Sequence, residues 1–514
     1  MPVTLSPSSS LRVAPAELTR GKLLARSTVW NLAGQILPMA AAVVAIPAIV
    51  RQIGLDRFGI LTLGWVVVGY FGLFDLGLGR ALTKMVADKL ASGRDHDLRA
   101  LIWTSCFLML MLGVVAGLAM FLLAPWLVDR VLKVPSSLKI ETVHALYLLA
   151  ASVPVITSTS GFRGVLEALQ RFDTVNKIRI PMAISVFLGP LMVVPFSKSL
   201  VWIFAFLVAG RFFAWIAYLA TTLSAIPGLG RDITLQLSGL KSVLEFGGWI
   251  TAGNLMVPVL VYIDRFVIGA LLSLSAVAFY TTPFEGVSKL LAIPGALAGV
   301  MFPAFAATYV QDRDRTRLLM QRAVKYTFLA VFPVVLLVIA FAPEGLQIWV
   351  GSAFAQNSTL VLRYLAAGVF VNCLAQIPLS LVQGTGRPDL VVGLVGFELP
   401  VYLVVVYWAT KHHGLNGAAL AWSARVVVEA AVLFFLAYRL MPRRRGLALR
   451  LAGSVGCALA IFYGVTVPST VNDRALVVAV VLLGLAAASW FGILMEDERA
   501  LLKAVVGRRL RTAA

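Results

Sequence analysis

Long apolar runs joined by short polar links fill most of this chain. A helix needs about 20 apolar residues to cross a bilayer, and about fourteen runs reach that length. Six fall at roughly 27–50, 59–80, 100–123, 142–162, 178–196 and 201–221, and six more at roughly 246–271, 275–303, 325–349, 361–383, 389–410 and 415–438. A last pair covers roughly 447–467 and 475–494. The pattern predicts an all-α, polytopic membrane protein. No link between runs is long enough to fold as a domain of its own, and no GxxxxGK[ST] loop is present to drive transport with a nucleotide. The polar stretch 1–26 has no apolar centre and is expected to be a cytoplasmic tail, with no cleaved leader.

Composition sharpens the class. Of the 514 residues, 60% are hydrophobic and 13% charged, where a soluble domain has about 45–50% and about 25%. The apolar excess must face lipid, which excludes secreted, disordered and fibrous chains. The three cysteines, Cys106, Cys373 and Cys457, all lie in apolar runs far apart and form neither a metal spacing nor a disulfide framework. No cofactor or metal is expected.

The net charge of +20 would suggest nucleic acid on a soluble chain, but here it encodes topology. With the N-terminus inside, 30 cations fall in cytoplasmic segments, 8 on the opposite side and 6 within spans. Both termini are therefore expected in the cytoplasm, with the basic segments against anionic lipid headgroups and no nucleic-acid partner.

The first twelve spans echo themselves. Trp30 and Pro38 are followed by Trp249 and Pro258, at offsets of 219 and 220; Arg171 and Arg387 differ by 216, and Arg211 and Arg425 by 214. Six spans per repeat give both repeats the same orientation, which predicts two six-helix lobes related by a pseudo-twofold along the membrane normal and facing a central cavity. The expected organisation is a tail (1–26), an N-lobe (27–222), a cytoplasmic linker (223–245), a C-lobe (246–440), two extra spans (441–494) and a basic cytoplasmic tail (495–514).

A charge at the bilayer centre costs about 2.5–3.5 kcal/mol even on the lenient insertion scale, so ionisable groups within spans mark the candidate site. Arg211 and Arg425 lie about ten residues into spans six and twelve, near the midplane and at equivalent repeat positions. Guanidinium groups there would suit a phosphate-bearing substrate. The structural alternative for Arg425 is pairing with Glu429 on the same helix face or with Glu398 of span eleven. Lys289 is deep enough to meet a substrate, although Glu285 one turn earlier would neutralise it. Asp75 and Arg80 lie in the cytoplasmic half of span two, and Asp264, beside Arg265, near the outer end of span seven, where an interfacial role is expected. No Ser/His/Asp set or carboxylate pair stands out as catalytic, so no enzyme is predicted.

The residues also carry a family resemblance. The runs STVWNLAGQILPMAAAVVAIPAIVRQIGLDRFGILTL, FDLGLGRALTKMVA, ALQRFDTVNK, FGGWITAGNLMVPVLVYIDRFVIGALLS and LVQGTGRPDL resemble the polysaccharide-transporter branch of the multidrug, oligosaccharidyl-lipid and polysaccharide exporter superfamily. The resemblance implies an O-antigen or oligosaccharide-repeat-unit flippase of a bacterial inner membrane. It further implies alternating access, an undecaprenyl-diphosphate-linked glycan as substrate, a cationic cavity, and polysaccharide polymerase and chain-length machinery as partners. Three alternatives stay open: a lipid II flippase, which shares the diphosphate; a multidrug-extrusion antiporter, disfavoured by the arginines; and a membrane polymerase or ligase, disfavoured by the short outer links.

Overall fold

The structure, a computed structural model, describes residues 21–73, 96–169, 171–226, 228–230, 259–441 and 447–493, with isolated positions between 79 and 89 and at 256. Among these residues every regular element is helical. The helices follow the predicted spans in order: α1 (Gly21–Ile53), α2 (Leu55–Leu73), α3 (His96–Trp126), α4 (Lys139–Ala168), α5 (Phe172–Val193), α6 (Leu200–Ala225) and α7 (259–271). Then come α8 (Leu274–Ser288), α9 (Ala292–Gln311), α10 (Arg313–Ala340), α11 (Ala342–Trp349), α12 (Ser352–Gly384), α13 (Pro388–Arg439), α14 (Leu447–Gly464) and α15 (Val471–Ala488). Among the described residues, eight helices are long and apolar enough to cross a membrane. Large apolar side chains such as Phe213, Phe397, Val404 and Leu483 stand exposed on them, as lipid-facing surface requires.

Local chemistry interrupts two of the predicted runs and merges two others. Span eight divides into α8 and α9 around a 3₁₀ turn at Lys289–Leu291. Pro294 explains the break, because it has no N–H to give the carbonyl four residues back and its ring crowds that carbonyl. Span nine ends at Ala340 and restarts as α11, whose first turn holds Pro343. Helix α13 covers spans eleven and twelve without a loop, and its single non-helical residue is Gly414 (φ 58°, ψ −141°). The chain turns back on itself there: a Cβ on Gly417 would lie 2.1 Å from the Ala409 carbonyl oxygen.

Tertiary contacts divide the chain into two compact units, Met1–Thr282 with Val392–Ala418, and Pro283–Val391 with Ala419–Ala514. The first unit contains α7, the start of α8 and part of the first arm of α13, all of which the repeat assigned to the C-lobe.

In the first unit α3 packs closely on α4. Cβ atoms on Gly113 and Gly117 would fall 2.2 Å from Thr157 Oγ1 and 2.6 Å from the Ala150 carbonyl oxygen, so this Gly-x-x-x-Gly pair lets the two backbones touch. Thr157 donates to the Met109 carbonyl across the same seam at 3.0 Å. At the end predicted to lie outside, Glu141 accepts from Arg57 (3.2 Å) and from the Leu200 N–H (2.5 Å), joining α4 to the starts of α2 and α6. Lys133 donates through its backbone N–H to the Gly269 carbonyl and through its ammonium to the Leu271 carbonyl, placing a cation at the C-terminus of α7.

In the second unit α12 is the central helix, with α9, α10 and α11 packed around it. Gly368 meets Trp422 and Ser423, whose hydroxyl donates to the Tyr364 carbonyl at 2.8 Å. Phe332, Phe370 and Phe462 bring α10, α12 and α14 together at ring-centroid distances of 5.2–6.1 Å.

Candidate functional site

The ionisable residues within the spans fall into three chemical situations. The first is an isolated cation. Arg211 lies eleven residues beyond Leu200, the first residue of α6, with one turn on either side that is almost wholly apolar. Its side chain is partly buried. Among the described residues its guanidinium has one hydrogen-bond partner, the Met182 thioether at 3.6 Å. A thioether is a weak acceptor and carries no charge, so it does not compensate the guanidinium's charge.

The second situation is the ion pair within a helix. Arg425 lies eleven residues beyond Gly414, the same depth along its arm as Arg211 along α6. It donates to Glu429 at 3.0 Å with its side chain only 9% exposed. The structure therefore realises the pairing with Glu429 that the four-residue spacing allows. Lys289 likewise meets Glu285 at 3.1 Å, both side chains about one-third exposed, on the 3₁₀ turn that breaks span eight.

The third situation is a fully buried network, and here the structure corrects the sequence reading. Asp264 and Arg265 were expected at an interface near the outer end of span seven, yet both are 0% exposed. Asp264 accepts from the Arg265 guanidinium (3.2 Å), from the Arg265 backbone N–H (2.8 Å) and from the Tyr280 hydroxyl of α8 (2.5 Å). Arg265 also donates to the Val261 carbonyl at 2.9 Å and stacks over the Tyr262 ring. These partners turn a costly buried charge into a connected polar group. Tyr402 of α13 lies near enough to act electrostatically on Tyr280, and Glu398, one turn before it, is also buried. Tyr280 and Tyr402 carry no signal in the sequence, because a tyrosine in an apolar run reads like any other aromatic. Asp75 and Arg80 lie outside the described residues.

A further cluster went unpredicted. Pro343 cannot donate to the Ile339 carbonyl at the end of α10, and the Arg363 guanidinium takes that acceptor at 3.3 Å. Arg474, at the start of α15, donates to the Ala340 carbonyl (2.7 Å) and binds Glu344 through two nitrogens at 2.6 and 3.1 Å. Two arginines thus cap one helix C-terminus, where cations are favoured. Burial pushes the Glu344 carboxyl up, but the hydrogen bonds from Arg474 and the charges of Arg474 and Arg363 outweigh it and hold the group below its ordinary value.

Comparison with known proteins places this geometry in a family. The polysaccharide biosynthesis protein family matches residues 24–309, more than half of the chain. The chain belongs to that family. A Shigella flexneri relative named "Putative O-antigen transporter" is 29% identical over 423 residues, covering 81% of this chain and 98% of that one. Two solved structures share the fold of this polysaccharide biosynthesis protein. The lipid II flippase MurJ, in an inward closed conformation, superposes with a TM-score of 0.65 at 12% identity, covering 91% of this chain and 98% of its own. An inward-facing multidrug resistance transporter of the MATE family gives 0.64 at 16% identity, covering 80% and 94%. Helix content, apolar spans and these likenesses together make the protein a multi-pass membrane protein with the fold of that transporter superfamily.

Proposed function

We propose that this protein is a flippase that carries undecaprenyl-diphosphate-linked oligosaccharide repeat units from the cytoplasmic to the periplasmic leaflet of a bacterial inner membrane by alternating access, for O-antigen or exopolysaccharide assembly. Both termini are then cytoplasmic, and the protein is a transporter with no catalytic step of its own. Polysaccharide polymerase and chain-length machinery are its expected neighbours. The family match and the near full-length coverage of the O-antigen relative support the substrate class.

At the level of the site, the observation that carries the reading is Arg211. A midplane guanidinium with no carboxylate partner among the described residues is an open anion receptor, and a diphosphate is the anion that every lipid-linked glycan shares. Arg425 and Lys289, each matched by a carboxylate, would add to a cationic cavity only by exchanging partners. Glu285, Glu398, Glu429 and Asp264 then serve as charge partners. The likeness to the lipid II flippase speaks to the fold.

The test is deletion of the gene in its native host, followed by extraction of lipid-linked intermediates and assay of surface glycan. Undecaprenyl-diphosphate-linked repeat units accumulating on the cytoplasmic side, with surface glycan lost, is the expected result. Surface glycan at the parental level, with lipid II accumulating instead, would replace this reading with the lipid II one.

A further inference from the structure

Within the second unit, the helix pair α14–α15 is fastened to α10 at one end and parted from it at the other. Toward the Ala340 end of α10 the attachment is close. Phe462 stacks on Phe332 and edges onto Phe370, and Arg474 grips the Ala340 carbonyl and Glu344. Toward the Arg313 end the helices diverge and enclose a cavity of about 1080 Å³ between α10, the end of α13, α14 and α15. Its floor is Phe328 and Phe332, its walls are apolar, and its polar residues include Gln321, Lys325, Tyr438 and Ser454. This exceeds the about 300–1,000 Å³ of a typical small-molecule site.

We infer that this groove holds an anionic glycerophospholipid of the leaflet at the basic end of α10, its acyl chains between α10 and the α14–α15 pair and its phosphate beside Lys325. Three features select this occupant. Inward of Lys325 the lining along α10 runs to Phe332, seven residues or about 10 Å at about 1.5 Å per residue, so the groove stays within the about 15 Å of one leaflet's hydrocarbon. Phe328 and Phe332 limit how far a chain can run inward, which suits acyl chains and not a long polyprenyl tail. Charge agrees as well. The first thirteen residues of α10 hold Arg313, Arg315, Arg317, Arg322 and Lys325, so the mouth lies in the most basic stretch of the helix. Gly453 and Gly484, on opposite walls, have no neighbour within 4 Å of a would-be Cβ, so the space continues up both helices. The lipid acts as a wedge that completes the packing of a helix pair which protein contacts fasten at one end alone.

Cys457 lines the groove and is exposed, whereas Cys106 and Cys373 are buried, so the native chain already carries a reporter thiol. The protein is reconstituted in nanodiscs of phosphatidylcholine, with and without phosphatidylglycerol, and the rate of Cys457 modification by a maleimide is measured. Occupancy predicts about fivefold slower labelling with phosphatidylglycerol, the preference expected from one cation beside an anionic headgroup, and Lys325→Gln should erase the difference. Native mass spectrometry of the detergent-purified protein should show a retained phosphatidylglycerol mass that is lost in Gly453→Leu/Gly484→Leu, which fills the groove where nothing obstructs it. Equal labelling rates in the two lipids, or a retained polyprenyl diphosphate in place of a phospholipid, would overturn the inference. These readouts do not depend on what the transporter carries.

Discussion

The Arg211 guanidinium meets the Met182 thioether at 3.6 Å and, among the described residues, no carboxylate. An ordinary structural arginine within a span would have acquired one, as Arg425 has in Glu429. The cost of carrying that charge is then consistent with a substrate that supplies the missing anion. Arg211→Gln removes a charge-assisted contact of about 1.5–3 kcal/mol, so transport of lipid-linked repeat units should fall roughly 10- to 100-fold at unchanged thermal stability. Met182→Glu should have the same effect by the opposite route, because a new carboxylate 3–4 Å away would occupy the guanidinium. Arg211→Lys keeps the charge and should retain part of the flux. Wild-type flux in Met182→Glu would separate Arg211 from the substrate path.

Arg425 and Glu429 make the contrasting case. Removing Glu429 should hurt more than removing both, because Glu429→Gln takes the 3.0 Å carboxylate contact from a guanidinium that is 9% exposed. Glu429→Gln should cost about 1–3 kcal/mol of thermal stability, and Arg425→Gln/Glu429→Gln should recover most of it. A double variant that regains stability but not transport would show that Arg425 also reaches the substrate. Stability and flux have to be measured on the same preparations.

How far the sequence carries depends on the range of the interaction that decides each feature. Spans α1 to α6, α12 and the Gly414 turn follow from apolar run lengths and glycine, which are local properties. The breaks at Lys289–Leu291 and Phe341 were missed because apolar runs mask Pro294 and Pro343; both prolines were present to be read. The pairs Glu285–Lys289 and Arg425–Glu429 were legible because both partners lie on one helix. Arg474 falls in the short link between the last two predicted runs, and its partners Ala340 and Glu344 lie about 130 residues away, which no helical spacing reports. The burial of Asp264 was not legible for the same reason, since Tyr280 reaches it from the next helix.

The Glu344–Arg474 clamp should respond to acid. Glu344 is held below its ordinary value, so its contribution is fully present above the unfolded carboxyl's value of about 4.3 and is lost as pH falls through the lower folded value. Once Glu344 is protonated, Arg474 keeps only carbonyl acceptors, those of Ala340 and Thr470. Thermal stability should therefore carry a Glu344-dependent component that is flat from neutral pH to about 5 and declines below about 4. Glu344→Gln should lack that decline and unfold at a lower temperature at pH 7. Identical pH profiles for the wild type and Glu344→Gln would remove the clamp as a source of stability.

The Asp264 network allows the sharpest separation of folding from transport, because every member is buried and hydrogen-bonded. Tyr280→Phe deletes one donor to a carboxylate and should cost about 1–3 kcal/mol. Asp264→Asn removes the charge that balances Arg265 in a site with no exposure at all, and should cost about 3–5 kcal/mol, lowering Tm in detergent more than Tyr280→Phe does. Asp264→Asn/Arg265→Gln, with neither charge left, should recover part of that loss. These costs assume that the network serves the folded state, joining α7 to α8 next to Tyr402 and Glu398 of α13. A protein with Asp264→Asn that keeps the wild-type Tm yet loses flux would reverse the assignment, making Asp264 a group whose charge is used during the transport cycle.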